Sequence, residues 1–380
     1  LQAIGWYSIN MSIVLAVLLV NTWVGYIFSV LNMGAATYIM ELKYYVMKRE
    51  MFETSGKNDF QESLSLERIY EKNEGYRFKS LMKNSLKVLN WNIERGFSPA
   101  ELLTYIRKED PDIVALQEVD WENERTDNLD VLEYMANELN MKGYYSIEFF
   151  EIDSPYRAKS NGGGGVHGNA ILTKIKPTNV YRIELPVYYD WENPPKGAEF
   201  YAKIEKRIGK RFAICADFKF NTELLTVCST HFEDKKGGVK GRIDQLNTII
   251  ETLNHQSGSE SIKIIAGDMN TLDNWLVRMI RLSKKSEGGG KPWFVSECKW
   301  WKSEIIPKTS FRDPFTCKDW THKVTALYRQ KLDWILVSGA LIEKTGIGDF
   351  HWLLSSSRSG WHNPIFRLIN SYFYLGLSIS

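Results

Sequence analysis

Apolar, strand-like runs that end in a polar side chain recur along this chain from residue 86 onward. The clearest is Ile262 to Thr271, IKIIAGDMNT, whose isoleucines suit a buried strand and whose Gly267 lets the backbone turn. Asp268 and Asn270 then stand two residues apart, so an extended backbone would point both side chains in the same direction. An Asx-rich turn explains this stretch equally well when it is taken alone. The other strand ends decide between the two interpretations.

The strand-like runs alternate irregularly with amphipathic helices and hairpins, which predicts a mixed αβ layered fold. Ser98, Pro99 and Glu101 predict the start of a helix with a capping box, and that helix should end by Asp110. The spacing predicts further helices over 127–140 and 239–253. It predicts strands over 86–92, 112–118, 211–219, 223–230, 262–267 and 331–337.

Side chains that can bind a cation or a phosphate lie at the ends of these predicted strands. They are Asn92, Glu118, His231, Asp268 and Asn270, with Asp333 near the start of its own strand and His362 after the last strands. Carboxylates and amides are hard oxygen donors that suit Mg²⁺ or Mn²⁺, and histidines can donate to phosphate or transfer protons. Together these groups could support the metal-assisted attack of water on a phosphodiester.

Seven short motifs identify a resemblance to a known family. LNWNIE, LQEVD, HGNAIL, STHFE, GDMN, KLDWIL and WHNPI occur in the order and spacing of the endonuclease/exonuclease/phosphatase superfamily, over residues 86–370. The resemblance implies the deoxyribonuclease-I-like fold, a four-layer α/β/β/α sandwich of two packed mixed β-sheets with a cleft at one edge. It also implies a phosphate-ester substrate, either phospholipid or nucleic acid.

The same resemblance implies roles for matched residues around a divalent cation, Mg²⁺ or Mn²⁺. Glu118 would be the principal metal ligand, supported by Asn92. Asp268 would orient or deprotonate the attacking water. Asn270 would hold a phosphate oxygen or the nucleophile.

A second group of matched residues would contact the phosphate. His231 would stabilise the charge that develops on the phosphorus. His362 would contact the scissile phosphate, with Asp333 fixing its tautomer. Asn169 lies in the HGNAIL motif and would be near the phosphate, with His167 as a secondary candidate.

One position departs from the family pattern. The last motif of the family is Ser-Asp-His, whereas this chain has Trp361 where the Asp is expected. Trp cannot ligate a hard cation, and loss of a supporting group costs about 10–100-fold in affinity or activity. The substitution leaves open a catalytically degenerate member that serves as a structural or interaction subunit of a membrane complex.

Residues 9–40 contain no charged side chain, and this run is long enough to cross a bilayer. We therefore predict one transmembrane helix within residues 1–40, followed by a charged juxtamembrane linker over 41–85. Lys43, Lys48 and Arg49 follow the segment, so the positive-inside rule predicts that the C-terminal domain lies on the cytoplasmic or mitochondrial matrix side. The apolar residues 371–380 are predicted to form a tail that packs on the membrane, on a partner or on the domain.

Composition adds two limits. The net charge of +2 is too balanced to argue for a nucleic-acid partner. The four cysteines, Cys215, Cys228, Cys298 and Cys317, lack zinc-site spacing. In so large a chain we expect no disulfide framework, and we interpret Cys215 and Cys228 as small core residues in a reducing compartment.

Overall fold

The computed structural model describes residues 56–78, 85–154, 156–157, 161–196, 199–220, 222–234, 237–257, 261–271, 290–292, 294–323, 329–351 and 369–378. The predicted transmembrane segment 9–40, Trp361 and His362 lie outside these residues, so the predictions that depend on them stay predictions. Within the described ranges, no helix combines the length and the apolar character that a bilayer crossing requires.

Two mixed β-sheets form the centre of the described structure, as predicted. Their strands are β1 Ile69–Lys72, β2 Ser85–Arg95, β3 Ile113–Trp121, β4 Lys142–Glu151, β5 Val166–Thr173, β6 Pro177–Glu184, β7 Arg207–Gly209, β8 Phe212–Phe220, β9 Glu223–His231, β10 Ile262–Asp268, β11 His322–Lys323, β12 Arg329–Gln330, β13 Asp333–Ser338, β14 Leu341–His351 and β15 Ile369–Ser378. The first sheet has the order β1-β4-β5-β3-β2-β15-β11-β12, with β14 beside β15 and β7 beside β4. The second sheet has the order β13-β10-β9-β8-β6.

Helices cover the outer face of each sheet. They are α1 Asp59–Glu62, α2 Pro99–Glu109, α3 Val131–Leu139, α4 Glu199–Ile204, α5 Gly238–Ser257 and α6 Glu297–Trp300, with short turns of helix at Glu124–Thr126, Trp301–Ile305 and Ile306–Lys308. Helix α2 ends at Glu109 with Asp110 as its C-cap, in agreement with the predicted end by Asp110. The Ser98 side chain makes no capping hydrogen bond, so the predicted capping box does not form.

Side-chain alternation along the strands builds the layers. In β2, Leu86 and Val88 point into the core between the two sheets, whereas Leu89 and Trp91 point toward α2 and α3. The outer face of the second sheet packs against α5 in the same manner. The order of layers is therefore helix, sheet, sheet, helix.

Residues 369–378 correct the predicted C-terminal boundary. The predicted domain ends at residue 370, with 371–380 as a separate apolar tail. Instead, β15 lies inside the first sheet, antiparallel to β2 on one side and to β14 on the other. Its alternate residues Phe373, Leu375 and Leu377 are buried between the sheets, which explains their apolar character.

The predicted linker 41–85 is also partly wrong, because its second half belongs to the folded domain. Strand β1 pairs antiparallel with β4 and closes one edge of the first sheet. The side chain of Gln61 in α1 is buried, and its Nε2 donates to the carbonyl oxygens of Glu151 and Gly165. Residues 56–78 are therefore held by the sheet that they border.

The cysteines form two disulfides, Cys215–Cys228 and Cys298–Cys317, contrary to the expectation of free thiols. Cys215 and Cys228 lie directly opposite each other on β8 and β9. Cys298 lies in α6, in the core outside the second sheet. Disulfides persist in oxidising compartments, so this finding weighs against the reducing compartment that we inferred from composition.

Candidate active site

Three neighbouring strands of the second sheet bring His231, Asp268 and Asp333 together. Strands β9 and β10 run parallel with Asp268 beside His231, and β13 runs antiparallel to β10 with Asp333 beside Asp268. Each side chain continues the alternation that points its strand's apolar residues between the sheets. The two carboxylates and the imidazole therefore meet where the core between the sheets opens into a cleft.

The first sheet contributes Glu118 through an irregularity in β3. The register of β3 shifts between Leu116 and Val119, and Glu118 has a left-handed φ of 56°. Val119 takes the place toward the helices that regular alternation would have given to Glu118. Bulges of this kind re-aim a side chain, and here the carboxylate of Glu118 is turned into the cleft.

Asn92 on β2 joins the two halves of the site. Its Nδ2 donates to Oε1 of Glu118 at 3.0 Å and to Oδ2 of Asp268 at 2.9 Å. Its Oδ1 accepts the backbone N–H of Glu94 at 3.0 Å. Asn92 thus points its amide nitrogen at the two carboxylates and fixes their positions by hydrogen bonds. The family resemblance predicted instead that Asn92 supports the metal.

A divalent cation fits the residues that are present. Glu118, His231 and Asp268 each offer one ligand atom, and these atoms lie within 4.8 Å of one another. The two carboxylates are hard oxygen donors that suit Mg²⁺ or Mn²⁺, whereas the imidazole is a ligand that also suits Zn²⁺. Glu118, the predicted principal ligand, is one of these three groups, and its metal role stays a prediction.

The charges around Glu118 keep its carboxylate ionised. Burial would raise the pKa of Glu118, but the positive charges of His231, His167 and Arg95 and the Asn92 hydrogen bond hold it far below its usual value. His231 carries that charge only in acid, because burial and Arg211 lower its own pKa despite the nearby Asp268 and Glu118. At neutral pH the site therefore combines an ionised carboxylate with a neutral imidazole.

Asp333 is the least satisfied group of the site. The residue is fully buried, and neither carboxylate oxygen has a hydrogen-bond partner in the described part of the chain. Burial, followed by the charges of Asp268 and Glu118, raises the pKa of Asp333 well above its usual value. An imidazole N–H beside Asp333 would supply the missing hydrogen bond. The predicted pairing of Asp333 with His362 is consistent with this environment and stays a prediction.

The two asparagines predicted to contact phosphate lie in different surroundings. Asn270 lines the cleft, its backbone N–H donates to Oδ1 of Asp268 at 2.8 Å, and its φ is 48°. Asn169 is buried, and its Nδ2 donates to Oε1 of Glu148 and to the carbonyl oxygen of Phe212, both at 3.0 Å. Asn169 is not among the residues that line the described cleft.

His167, the secondary candidate of the HGNAIL motif, lies beside two buried charged side chains. Its Nδ1 lies 2.8 Å from Oδ1 of Asp120, and Asp120 also accepts two hydrogen bonds from the buried guanidinium of Arg125. The imidazole lines the cleft. The HGNAIL and LQEVD motifs contained both partners, but their pairing depends on β3 lying beside β5, which the sequence did not specify.

Further cleft residues were not predicted. The cleft has a volume of about 370 Å³ and is open to solvent. Besides the residues above, it is lined by Glu94, Arg95, Phe97, Trp191, Glu205, Arg207, Arg211, Asp234 and Leu332. Burial and the adjacent Glu118 raise the pKa of Glu94 to about 8, despite the opposing charge of Arg95. Glu94 and Leu332 lie within the LNWNIE and KLDWIL motifs but were not singled out, and the other residues come from segments outside the seven motifs.

Comparison with known families matches residues 89–357 to the Endonuclease/Exonuclease/phosphatase family. No curated protein matches the sequence. Among solved structures, an endonuclease/exonuclease/phosphatase from Beutenbergia cavernae is similar at 14% identity, with 78% of this chain and 72% of that chain covered and a TM-score of 0.48. The human Nocturnin catalytic domain with a bound sulfate anion is 17% identical, with 80% and 97% covered and a TM-score of 0.46. TDP2 of D. rerio, complexed with a single strand DNA product, is 14% identical, with 78% and 100% covered and a TM-score of 0.42.

Proposed function

Because this chain belongs to the endonuclease/exonuclease/phosphatase family, we propose that it is a divalent-cation-dependent phosphoesterase that hydrolyses a phosphodiester by attack of water. One observation carries the proposal. The ligand atoms of Glu118, His231 and Asp268 lie within 4.8 Å of one another in the cleft, and Asn92 bridges the two carboxylates. Two carboxylates held this close together, with Asp268 buried, are costly to maintain without a functional reason.

Each residue of the cluster has a task in this reaction. Glu118 and its neighbours would hold Mg²⁺ or Mn²⁺, which would supply Lewis-acid polarisation of a phosphoryl oxygen. Asp268, fixed by hydrogen bonds from Asn92 and from the backbone N–H of Asn270, orients the attacking water and accepts its proton. His231 donates a hydrogen bond to the oxygens that gain charge in the transition state.

His362 and Asp333 complete the proposed site. A buried carboxylate without a partner next to Asp268 is suited to hold an imidazole in one tautomer. We propose that His362 occupies that position and contacts the scissile phosphate. The alternative, a degenerate family member in a membrane complex, depends on Trp361, and the assembled cluster favours the enzyme.

Membrane attachment is a second part of the proposal. Residues 9–40 carry the apolar character of a membrane anchor. Lys43, Lys48 and Arg49 favour the cytoplasmic or matrix side for the domain, whereas the two disulfides favour an oxidising side. Alkylation of thiols in protein extracted from its native membrane under denaturing, non-reducing conditions distinguishes the two: labelled cysteines support the reducing side, and unlabelled ones the oxidising side.

Turnover of bis(p-nitrophenyl) phosphate tests the proposed activity. The wild-type protein should be active with Mg²⁺ or Mn²⁺ and inactive in EDTA. Asp268→Asn should lower kcat by about 10²–10⁴-fold, because it removes the proton acceptor, and Glu118→Gln should weaken the dependence on the cation. Glu251→Gln, on the exposed face of α5, is the matched control and should leave turnover unchanged. Folded wild-type protein that neither binds the cation nor turns over the diester would contradict the proposal.

A further inference from the structure

The proposed reaction needs a second proton transfer, to the oxygen that leaves phosphorus. When a phosphodiester is hydrolysed, the bond between phosphorus and this oxygen breaks, and the oxygen takes the electron pair. A side chain that donates a proton at this moment lets the oxygen depart as an alcohol. Asp268 accepts a proton from the attacking water in the proposed reaction, so the donor must be another side chain of the cleft.

The imidazole of His167 lies in the same cleft as the three groups of the proposed cation site. His167 is 4% exposed, the same fraction as His231 and close to the 3% of Asp268. Its neighbour in β5, Gly168, pairs with Val119, the residue that follows Glu118. His167 is therefore as accessible from the cleft as the other site residues, and it lies one strand away from Glu118.

The hydrogen bonds of His167 determine which of its nitrogens is available. Its Nδ1 lies 2.8 Å from Oδ1 of Asp120 and 3.5 Å from Nη2 of Arg125. A guanidinium cannot accept a hydrogen bond, so Nδ1–H donates to Asp120. In the described part of the chain both of these contacts are made by Nδ1, which leaves Nε2 for a group in the cleft.

Buried charges hold Asp120 in this position. Arg125 donates from Nε to one carboxylate oxygen of Asp120 at 2.6 Å and from Nη2 to the other at 2.8 Å. Both side chains are fully buried, and Arg125 also lies 3.6 Å from the buried carboxylate of Glu151. A carboxylate fixed beside one imidazole nitrogen orients the ring and stabilises its protonated form, which suits the other nitrogen to proton transfer.

The two sheets place His167 and Asp268 on opposite sides of the cleft. His167 lies on β5 of the first sheet, and Asp268 lies on β10 of the second. The attacking and leaving oxygens of a phosphoryl transfer lie roughly in line through phosphorus. If Asp268 holds the water on the side of the second sheet, the leaving oxygen faces the first sheet, where His167 lies.

We propose that His167 is the general acid that protonates the leaving oxygen. As the bond from phosphorus breaks and its electron pair passes to the oxygen, Nε2–H of His167 gives its proton to that oxygen. The imidazole is then neutral and regains a proton from solvent. Asp120 and Arg125 are positioning residues that act through Nδ1. This inference rests on the proposed phosphodiesterase activity and assigns a further residue to it.

Two substrates that differ in their leaving group test the general acid. Methyl p-nitrophenyl phosphate releases a stabilised phenolate that departs without a proton, whereas methyl phenyl phosphate releases a more basic oxygen. The full chain with Mg²⁺ should hydrolyse the two with kcat/KM values within about tenfold of each other, because His167 supplies the proton. His167→Gln should lower kcat/KM by about 10²-fold on the phenyl ester and by less than about threefold on the p-nitrophenyl ester.

Matched variants separate proton donation from general damage. Retained hydrolysis of the p-nitrophenyl ester shows that His167→Gln is folded. His255→Gln replaces an exposed histidine in α5 and should change neither rate. Asp120→Asn should show the same selective loss on the phenyl ester, because it removes the carboxylate that accepts from Nδ1.

Three outcomes would overturn the assignment of His167. They are a wild type that hydrolyses the p-nitrophenyl ester but not the phenyl ester, equal losses on both esters in His167→Gln, and no loss on either. Glu94→Gln tests the carboxyl group whose pKa burial raises to about 8, and a selective loss in this variant alone would assign the proton to Glu94 instead. Failure of the proposed phosphodiesterase activity is distinguishable, since the wild type would then also leave bis(p-nitrophenyl) phosphate unhydrolysed.

Discussion

The two sheets bring side chains to the cleft in different ways. The second sheet presents His231 and Asp268 to the cleft, with Asp333 buried beside Asp268, and each continues the alternation of the buried residues on its regular strand. The first sheet presents Glu118 and Arg95 from strands whose registers shift and whose backbones adopt positive φ. One half of the site follows from regular strand geometry, and the other half depends on local strain that neighbouring elements maintain.

The regular half is also the crosslinked half. Cys215–Cys228 joins two of its strands, and Cys298–Cys317 anchors α6, which packs against its outer face. The strained half is held by packing and hydrogen bonds. The difference predicts that perturbing the crosslinks changes stability and spares the cleft, whereas perturbing the strained turn at Glu94–Gly96, whose φ values are positive, changes both.

The largest expected effect on stability is loss of the Cys298–Cys317 disulfide. Replacing both cysteines by alanine should lower the free energy of unfolding by about 3 kcal/mol, because the bond closes a loop across a sequence separation of 19 residues. Urea denaturation without reductant measures the change, and diester turnover at low temperature should stay within twofold of wild type. A large loss of turnover in the folded variant would show that the crosslinked half also shapes the cleft.

Gly96→Ala should have the next largest effect, about 2 kcal/mol of destabilisation with reduced kcat/KM. The new Cβ would clash with Val131 in a left-handed backbone, so the segment that carries Arg95 must move. Gly164→Ala is the matched control, because Gly164 also has positive φ but its Cβ would meet no atom closer than 3.4 Å. The control should lose about 1 kcal/mol and retain activity. If the two substitutions had equal effects on stability and turnover, the strained turn at Gly96 would have no special role in shaping the cleft.

Asp333→Asn should have the smallest effect on stability and the opposite sign. In EDTA the substitution should stabilise the fold by about 1 kcal/mol, because it removes a buried carboxylate whose oxygens lack partners. The pKa of Asp333 is raised in the fold, so the folded state binds the extra proton and wild-type stability falls as pH rises from 3.8 through the folded pKa. The variant should lose that part of the pH dependence, measured by urea denaturation across the range. An unchanged pH profile would show that another group carries it.

The same contrast explains how much of the site could be predicted from the sequence. The sequence indicated His231, Asp268 and Asp333 because each stands at one end of a predicted strand, and regular strand geometry then brings them together. Regular alternation would point the Glu118 side chain toward the helices. Only the family resemblance therefore indicated that Glu118 belongs to the site. Phe97 was missed because nothing local distinguishes a cleft aromatic from an ordinary loop residue.

The cysteine pairing shows a signal that was present and not used. Cys215 and Cys228 are equally distant from the turn at Asn221–Thr222 in the predicted hairpin. That register places them opposite each other, within disulfide reach. We expected no disulfides in so large a chain and gave that expectation more weight than the hairpin geometry. The expectation was wrong. By contrast, β15 could not be placed from sequence, because its partners β2 and β14 differ greatly in their distance along the chain.

Strand β15 also has a consequence for how the protein is made. During translation, β2 and the Asn92 that it carries leave the ribosome long before residues 369–378, the strand that pairs with β2. Until residue 378 emerges, one edge of β2 is unpaired and able to recruit a strand from another nascent chain. Synthesis should therefore depend on chaperones that cover this edge, and a chain stopped before residue 369 should aggregate rather than accumulate as a folded domain without its tail.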